Sequence, residues 1–222
     1  MLKTICANGD SFTDESYLDK ASRWTNIIGA TKNLSRGGVS NERIFNTTIR
    51  YLNANKPDIL IIGWTDWERF MLPSSNGYNF GITPNHTFLE NIKMSEDEAE
   101  LSKEIGKFYY KNLHSSYTNF ENMLNYMILI QNYCANASIK LLYFFSTVDS
   151  RWLNEFTVRE LSTTKEQEDH LNNLIEKVNE KFWIYKKFYS MFEHCKNFEK
   201  DETLHPKKEG SAHWAKLVKN YL

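Results

Sequence analysis

Cysteine is the first scarcity. Cys6, Cys134 and Cys195 are spread over 222 residues with no C-x-x-C pair. So odd and sparse a set gives neither a disulfide framework nor a zinc site, and it implies buried free thiols. A charge excess of either sign is also missing: 27 Lys plus Arg stand against 28 Asp plus Glu, a net charge of −1. That balance leaves no electrostatic footprint for nucleic acid or an anionic membrane. The longest apolar run, Ile59-Leu60-Ile61-Ile62, falls far short of the ~20 residues a membrane helix needs. No basic amphipathic helix marks a membrane-surface lipase. The start, Met1-Leu2-Lys3-Thr4-Ile5, does not lead into the apolar stretch of about 7–15 residues that a secretory signal carries, so a cytoplasmic location is expected. There is no repeat at about 20–50 residues and no low-complexity tract. Without an H-E-x-x-H, Walker or Rossmann glycine pattern, neither a metal nor a nucleotide or other cofactor is implied.

What is present is ordinary globular material. Apolar residues make up 41%, aromatics 14% and charged residues 25%, enough for a sizeable core. At roughly 100–200 residues per domain, residues 1–222 are expected to form a single domain.

Residues 3–8, 58–63 and 139–146 are short, nearly continuous apolar runs. Such runs suit strands of a parallel sheet covered on both faces. A shorter strand is expected near Thr31–Leu34. Helical periodicity marks residues 15–29, 41–54, about 96–136, 164–183 and 207–221. Strands alternating with helices predict an α/β fold, a three-layer α/β/α sandwich around a parallel sheet. Residues 71–95 break the pattern with Pro73, Gly77, Gly81 and Pro84. They read as a loop, either a lid over the carboxyl ends of the sheet or a plain surface insertion.

Four places carry chemistry. Gly9-Asp10-Ser11 follows the first strand, so Ser11 falls at a strand-to-helix turn on the carboxyl edge of the sheet, where open α/β sheets bind ligands. A helix N-terminus there favours a developing anion, although Ser and Asp are also ordinary N-caps. Asp201-Glu202-Thr203-Leu204-His205-Pro206 lies near the other end. Histidine is a base suited to pH 7, a serine hydroxyl needs such a base, and a carboxylate fixes the ring's tautomer. Arg36-Gly37-Gly38-Val39-Ser40-Asn41 follows the second strand, and Gly63-Trp64-Thr65-Asp66-Trp67-Glu68-Arg69 follows the third.

In this order, over nearly the whole chain, the blocks resemble the SGNH (GDSL-type) hydrolase superfamily. The resemblance implies a flavodoxin-like parallel sheet with an insertion at about 64–96. It implies Ser11 as nucleophile and His205 as base. It places the acid three residues before the histidine, at Glu202, with Asp201 the alternative. Ser11 and Gly38 would lend N–H groups to an oxyanion hole. The family's third block carries an asparagine where this chain has Thr65. Thr65 itself, Asn41 or Arg69 could stand in for it, and Arg69 could instead bind an anionic substrate group.

Trp64 and Trp67 are candidate walls of a substrate cleft, with core packing as the other reading. Asp149 is a candidate site carboxylate. His213 reads as a packing residue, and His86 and His114 lack ligand spacing. The activity implied is cleavage of an ester, a short acyl ester or O-acetylated carbohydrate, by way of an acyl-enzyme. An O-acyltransferase with the same machinery and a non-catalytic SGNH-like binding module are the alternatives. The expected partner is therefore a small-molecule or glycan acyl ester, while oligomeric state is left open.

Overall fold

The computed structural model describes residues 3–73, 79–82, 87–89, 96–147 and 155–222. Its centre is a parallel sheet of β1 (Ile5–Asn8), β2 (Lys32–Asn33), β3 (Ile59–Trp64) and β7 (Lys140–Phe145), in the order β2-β1-β3-β7. Pairing is in register from Ile5 opposite Ile59 and from Ile59 opposite Lys140. The irregular segment 183–190 continues the sheet beyond β7 through parallel bridges of Tyr143 with Trp183 and Phe145 with Ser190.

Strand alternation sorts the core onto two faces. Cys6, Leu60, Ile62, Leu141, Tyr143 and Phe145 face one way, against α3 (Asn41–Leu52), α5 (Ser116–Ala137), α6 (Glu155–Leu161) and α7 (Lys165–Lys177). Ala7, Ile59, Ile61, Leu142 and Phe144 face the other. There they meet α2 (Trp24–Ile27), α8 (Met191–His194) and α9 (Lys208–Lys219), with Trp24, Met191 and Trp214 filling the layer. The result is the expected three-layer α/β/α architecture. Among the described residues no helix is long and apolar enough to cross a membrane.

The three cysteines are free and buried, and burial pushes each thiol up to about 12. These thiols are packing groups rather than nucleophiles.

Three expectations change. The periodic stretch 15–29 is not one helix. After the single turn α1 (Ser11–Asp14), Glu15 caps it in the left-handed region at φ 45°. Its carboxylate accepts the Trp24 N–H at 2.6 Å, so the side chain closes a loop and starts the short α2 instead. The stretch 96–136 is two helices, α4 (Glu96–Asn112) and α5. Ser115 divides them, because its hydroxyl accepts the Thr118 N–H as an N-cap.

The expected loop 71–95 contains secondary structure. β4 (Phe70–Pro73), β5 (Asn79–Ile82) and β6 (Thr87–Leu89) form a separate antiparallel sheet, Phe70 opposite Ile82 and Ile82 opposite Thr87. The alternation of Tyr78, Phe80 and Ile82 after Asn76-Gly77 was the available sequence signal for a hairpin. Residues 74–78, 83–86 and 90–95 of the expected lid lie outside the described residues, as do His86 and Asp149.

Candidate active site

The edge between β1 and β3 is built to be tight. A Cβ on Gly9 would come within 2.3 Å of Thr13 Oγ1 and 2.9 Å of the Gly63 carbonyl. On Gly63 it would meet the Phe144 ring at 2.5 Å and Thr13 Oγ1 at 2.7 Å. Only glycine fits at either place, and the two bring the α1 turn down onto the sheet. Asn8 fixes the same corner from the opposite face. Its buried amide donates to Ile44 O at 3.0 Å and Thr48 Oγ1 at 2.8 Å, and its oxygen accepts the Gly9 N–H.

Ser11 opens α1, with Asp10 as the N-cap accepting from Phe12 N–H. Its Oγ lies 2.7 Å from His205 Nε2, so residues 194 positions apart in sequence meet at hydrogen-bond distance. Two rings pack against the imidazole, Phe12 and Tyr17, each with its centroid 4.8 Å away. Tyr17 belongs to the apolar stripe of the helix that does not form, and the loop that replaces it lays this ring over His205.

On the far side of the ring the order of groups is unusual. Asp201 Oδ1 accepts the His205 N–H at 2.9 Å, the Thr203 N–H at 2.9 Å and the Thr203 hydroxyl at 2.7 Å. The Thr203 oxygen stands 2.5 Å from His205 Nδ1, whereas Asp201 Oδ1 is 3.7 Å from it. Leu204 takes φ 67° and turns the chain so that residues 201 and 205 face each other. The carboxylate facing His205 is thus Asp201, while Glu202, favoured by family spacing, is exposed. Thr203 was not foreseen. Its signal is the hydroxyl residue midway in Asp-x-Thr-x-His, where alternate positions of a tight turn come together.

Burial is the largest influence on His205 and holds its pKa below the usual 6.5. The carboxylates of Asp201 and Asp10 oppose that shift, and the Arg69 cation adds to it. Partial burial works to raise Asp201, but the hydrogen bonds from Thr203 and from the His205 N–H outweigh it, so Asp201 stays below its ordinary value.

The expected oxyanion residues are arranged differently from one another. Gly38 takes φ 75° in the loop after β2. Gly37, its neighbour, lies against the Ser11 side chain: a Cβ there would be 3.7 Å from Ser11 Cβ. Thr65 is fully buried, and its hydroxyl donates to Asp10 Oδ2 at 2.8 Å. Asn41 is also buried and is taken up by Thr65's backbone: its oxygen accepts the Thr65 N–H at 2.9 Å and its amide donates to Thr65 O at 3.0 Å. Arg69 Nη1 binds Asp10 Oδ2 at 3.1 Å. Asp10 thus gathers Phe12, Thr65 and Arg69 directly behind Ser11, a hub that holds the turn. The side chains named as substitutes for the missing asparagine serve this framework.

Trp64 is not a cleft wall. It is fully buried and packs edge-on against Tyr143 at 5.7 Å. Trp67 packs against Phe120, yet with Arg69, Asn119, Asn122 and Tyr126 it also lines a cavity of about 80 Å³. A larger cavity, about 210 Å³, lies beneath the loop after β2, between Ser35, Arg36 and Arg43. Neither cavity is lined by Ser11 or His205, which are both half-buried. His213 stacks on His194 at 4.8 Å, with Nδ1 2.8 Å from His194 Nε2, and His114 pairs with Glu68. Among the described residues no group of three or more His, Cys, Asp or Glu is arranged to hold a metal ion.

No family model and no curated protein matches the chain. Solved structures do. The chain is similar to TesA, with a TM-score of 0.52 at 10% identity, covering 98% of this chain and 97% of that one. It is equally similar to a structure from Desulfitobacterium hafniense DCB-2 assigned to the G-D-S-L family of lipolytic proteins, with a TM-score of 0.51 at 10% identity and full coverage of both chains. Identities this low speak for architecture alone. The chain has the fold of the SGNH (GDSL-type) hydrolases.

Proposed function

We propose that this chain is a serine ester hydrolase with Ser11 as nucleophile and His205 as general base, folded as one domain. The observation that carries the reading is the 2.7 Å approach of Ser11 Oγ to His205 Nε2 at the carboxyl edge of a parallel sheet. Ser11 Oγ attacks the ester carbonyl as its proton passes to His205 Nε2. The tetrahedral oxyanion collapses, the leaving alkoxide takes that proton, and an acyl-enzyme remains. Water then gives a proton to His205, attacks the acyl carbon, and Ser11 is released with its proton restored. Asp201 steadies the imidazolium between the two transfers.

The oxyanion donors of this reading are backbone N–H groups, those of Ser11 and of the Gly37-Gly38 turn. The N–H of a first helical turn has no intrahelical acceptor. Because α1 is a single turn, its dipole contributes little, and the N–H groups themselves supply the stabilisation. The substrates in this reading are small acyl esters or O-acetylated carbohydrates. Another acyl acceptor in place of water would make the same machinery an O-acyltransferase.

One observation favours a second reading, a binding module that keeps the fold without turnover: Thr65 replaces the asparagine, and its hydroxyl is bound to Asp10. Hydrolysis of a panel of chromogenic short-chain esters, by the wild type and by Ser11→Ala, tests the two. Turnover that disappears in the variant is expected. A folded wild type that turns over none of the panel and does not react with a fluorophosphonate favours the binding module.

A further inference from the structure

We propose that Thr203 is a positioning residue that sets the tautomer of His205, its hydroxyl passing the hydrogen bond of Nδ1–H on to Asp201. The inference rests on the ester-hydrolase reading for its catalytic meaning, but the tautomer itself is a property of the resting protein.

Distance gives the first part. His205 Nδ1 is 3.7 Å from Asp201 Oδ1, beyond a hydrogen bond. The Thr203 oxygen lies between, 2.7 Å from the carboxylate and 2.5 Å from the ring nitrogen. Donor inventory gives the second. An ionised carboxylate only accepts, whereas a hydroxyl has one proton to donate. Asp201 Oδ1 already collects the N–H groups of Thr203 and His205, so it is the acceptor to which the Thr203 proton goes. With that proton committed, Thr203 can only accept from Nδ1, and the neutral ring must carry its hydrogen there. Nε2 is then bare, 2.7 Å from Ser11 Oγ, and able to take the serine proton. Reversing the hydroxyl would put the hydrogen on Nε2, where the ring can no longer act as a base toward Ser11.

The test is the ¹⁵N shifts of the His205 ring at about pH 8, where an imidazole is neutral, read beside ester kinetics. Wild type is expected to show a protonated Nδ1 and a bare Nε2. Thr203→Val keeps shape but has no hydroxyl, and because Thr203 is exposed the fold is expected to persist. It should shift the ring toward the Nε2–H form and lower kcat by about 10–100-fold with KM unchanged. Thr203→Ser should restore both, and Thr203→Ala repeats the test if the branched side chain disturbs the turn. A Val variant that keeps the wild-type tautomer, or a Ser variant that behaves like Val, overturns the proposal. If no ester is turned over and Ser11 does not react with a fluorophosphonate, yet the tautomer responds as stated, the hydrolase reading fails and the role of Thr203 stands.

Discussion

The 201–205 turn shows at single residues how one position of register matters. Family spacing points to Glu202, but the left-handed Leu204 (φ 67°) folds the turn so that Asp201 faces His205 and Glu202 stays exposed. Asp201→Asn is expected to lower kcat by on the order of 10²-fold or more, with Glu202→Gln within about 2-fold of wild type. Equal, small effects would remove Asp201 from the account. The sign of the pH dependence is fixed by His205. In the proposed mechanism the unprotonated ring is the active form, and burial lowers its pKa. The acid limb of kcat/KM should therefore have its midpoint below 6.5, and removing the Asp201 charge should move it lower still. A limb centred above 6.5 contradicts the burial argument. Behind Ser11, Asp10 is a fully buried carboxylate that accepts from Thr65 and Arg69. Thr65→Val leaves it one donor short, and a loss of about 1–3 kcal/mol is expected by urea unfolding. Thr65→Asn, which a direct exchange for the family asparagine would favour, must instead fit a larger group where a buried bond to Asp10 now stands, and activity should fall.

Strands and longer helices were legible because their patterns are dictated by burial. Ile5–Asn8, Ile59–Trp64 and Lys140–Phe145 are apolar on both faces and surrounded by helices, so their residues announce a covered parallel sheet. Ser11 and His205 were legible because each follows a short motif at an element boundary. What escaped depends on contacts distant in sequence. Tyr17 and Leu18 have helical spacing, yet Glu15 ends the first turn and binds Trp24 N–H instead, an interaction periodicity does not encode. Trp64 sits beside the motif that suggested a cleft, but the pleat turns it into the core against Tyr143. Thr203 and Asp201 depend on backbone conformation within one turn. The close approach of β1, α1 and β3 yields a prediction at this scale. Gly63→Ala places a methyl against the Phe144 ring and Thr13, and at least 1–3 kcal/mol of destabilisation is expected. Gly29→Ala, with nothing within 4 Å of the added methyl, carries only the cost of its φ of 78°. Equal melting temperatures for the two variants would show that the edge is looser than described.

At the scale of the whole molecule, two core layers close over the sheet, and the chain's ends contribute Ser11 and His205 to a single edge. The same closure buries Glu15, which lies beside Ser211 of α9 and is pushed up to about 8, mainly by loss of solvent. A carboxyl raised from about 4.3 in the unfolded chain stabilises the fold fully below that value, and its contribution is lost as pH rises through 8. Between pH 5 and 8 the wild type should therefore lose stability relative to Glu15→Gln, by on the order of a few kcal/mol in urea unfolding. Parallel pH profiles for the two proteins would contradict this. The central claim, however, is that the fold brings a serine from one end of the chain and a histidine from the other into a reactive pair. Fluorophosphonate labelling of the folded protein, followed by intact mass and peptide mapping across pH, tests it most directly. One adduct is expected, on Ser11, with a rate that rises with pH through a midpoint below 6.5 and is lost in His205→Ala. A folded wild type in which Ser11 stays unlabelled at every pH would contradict it.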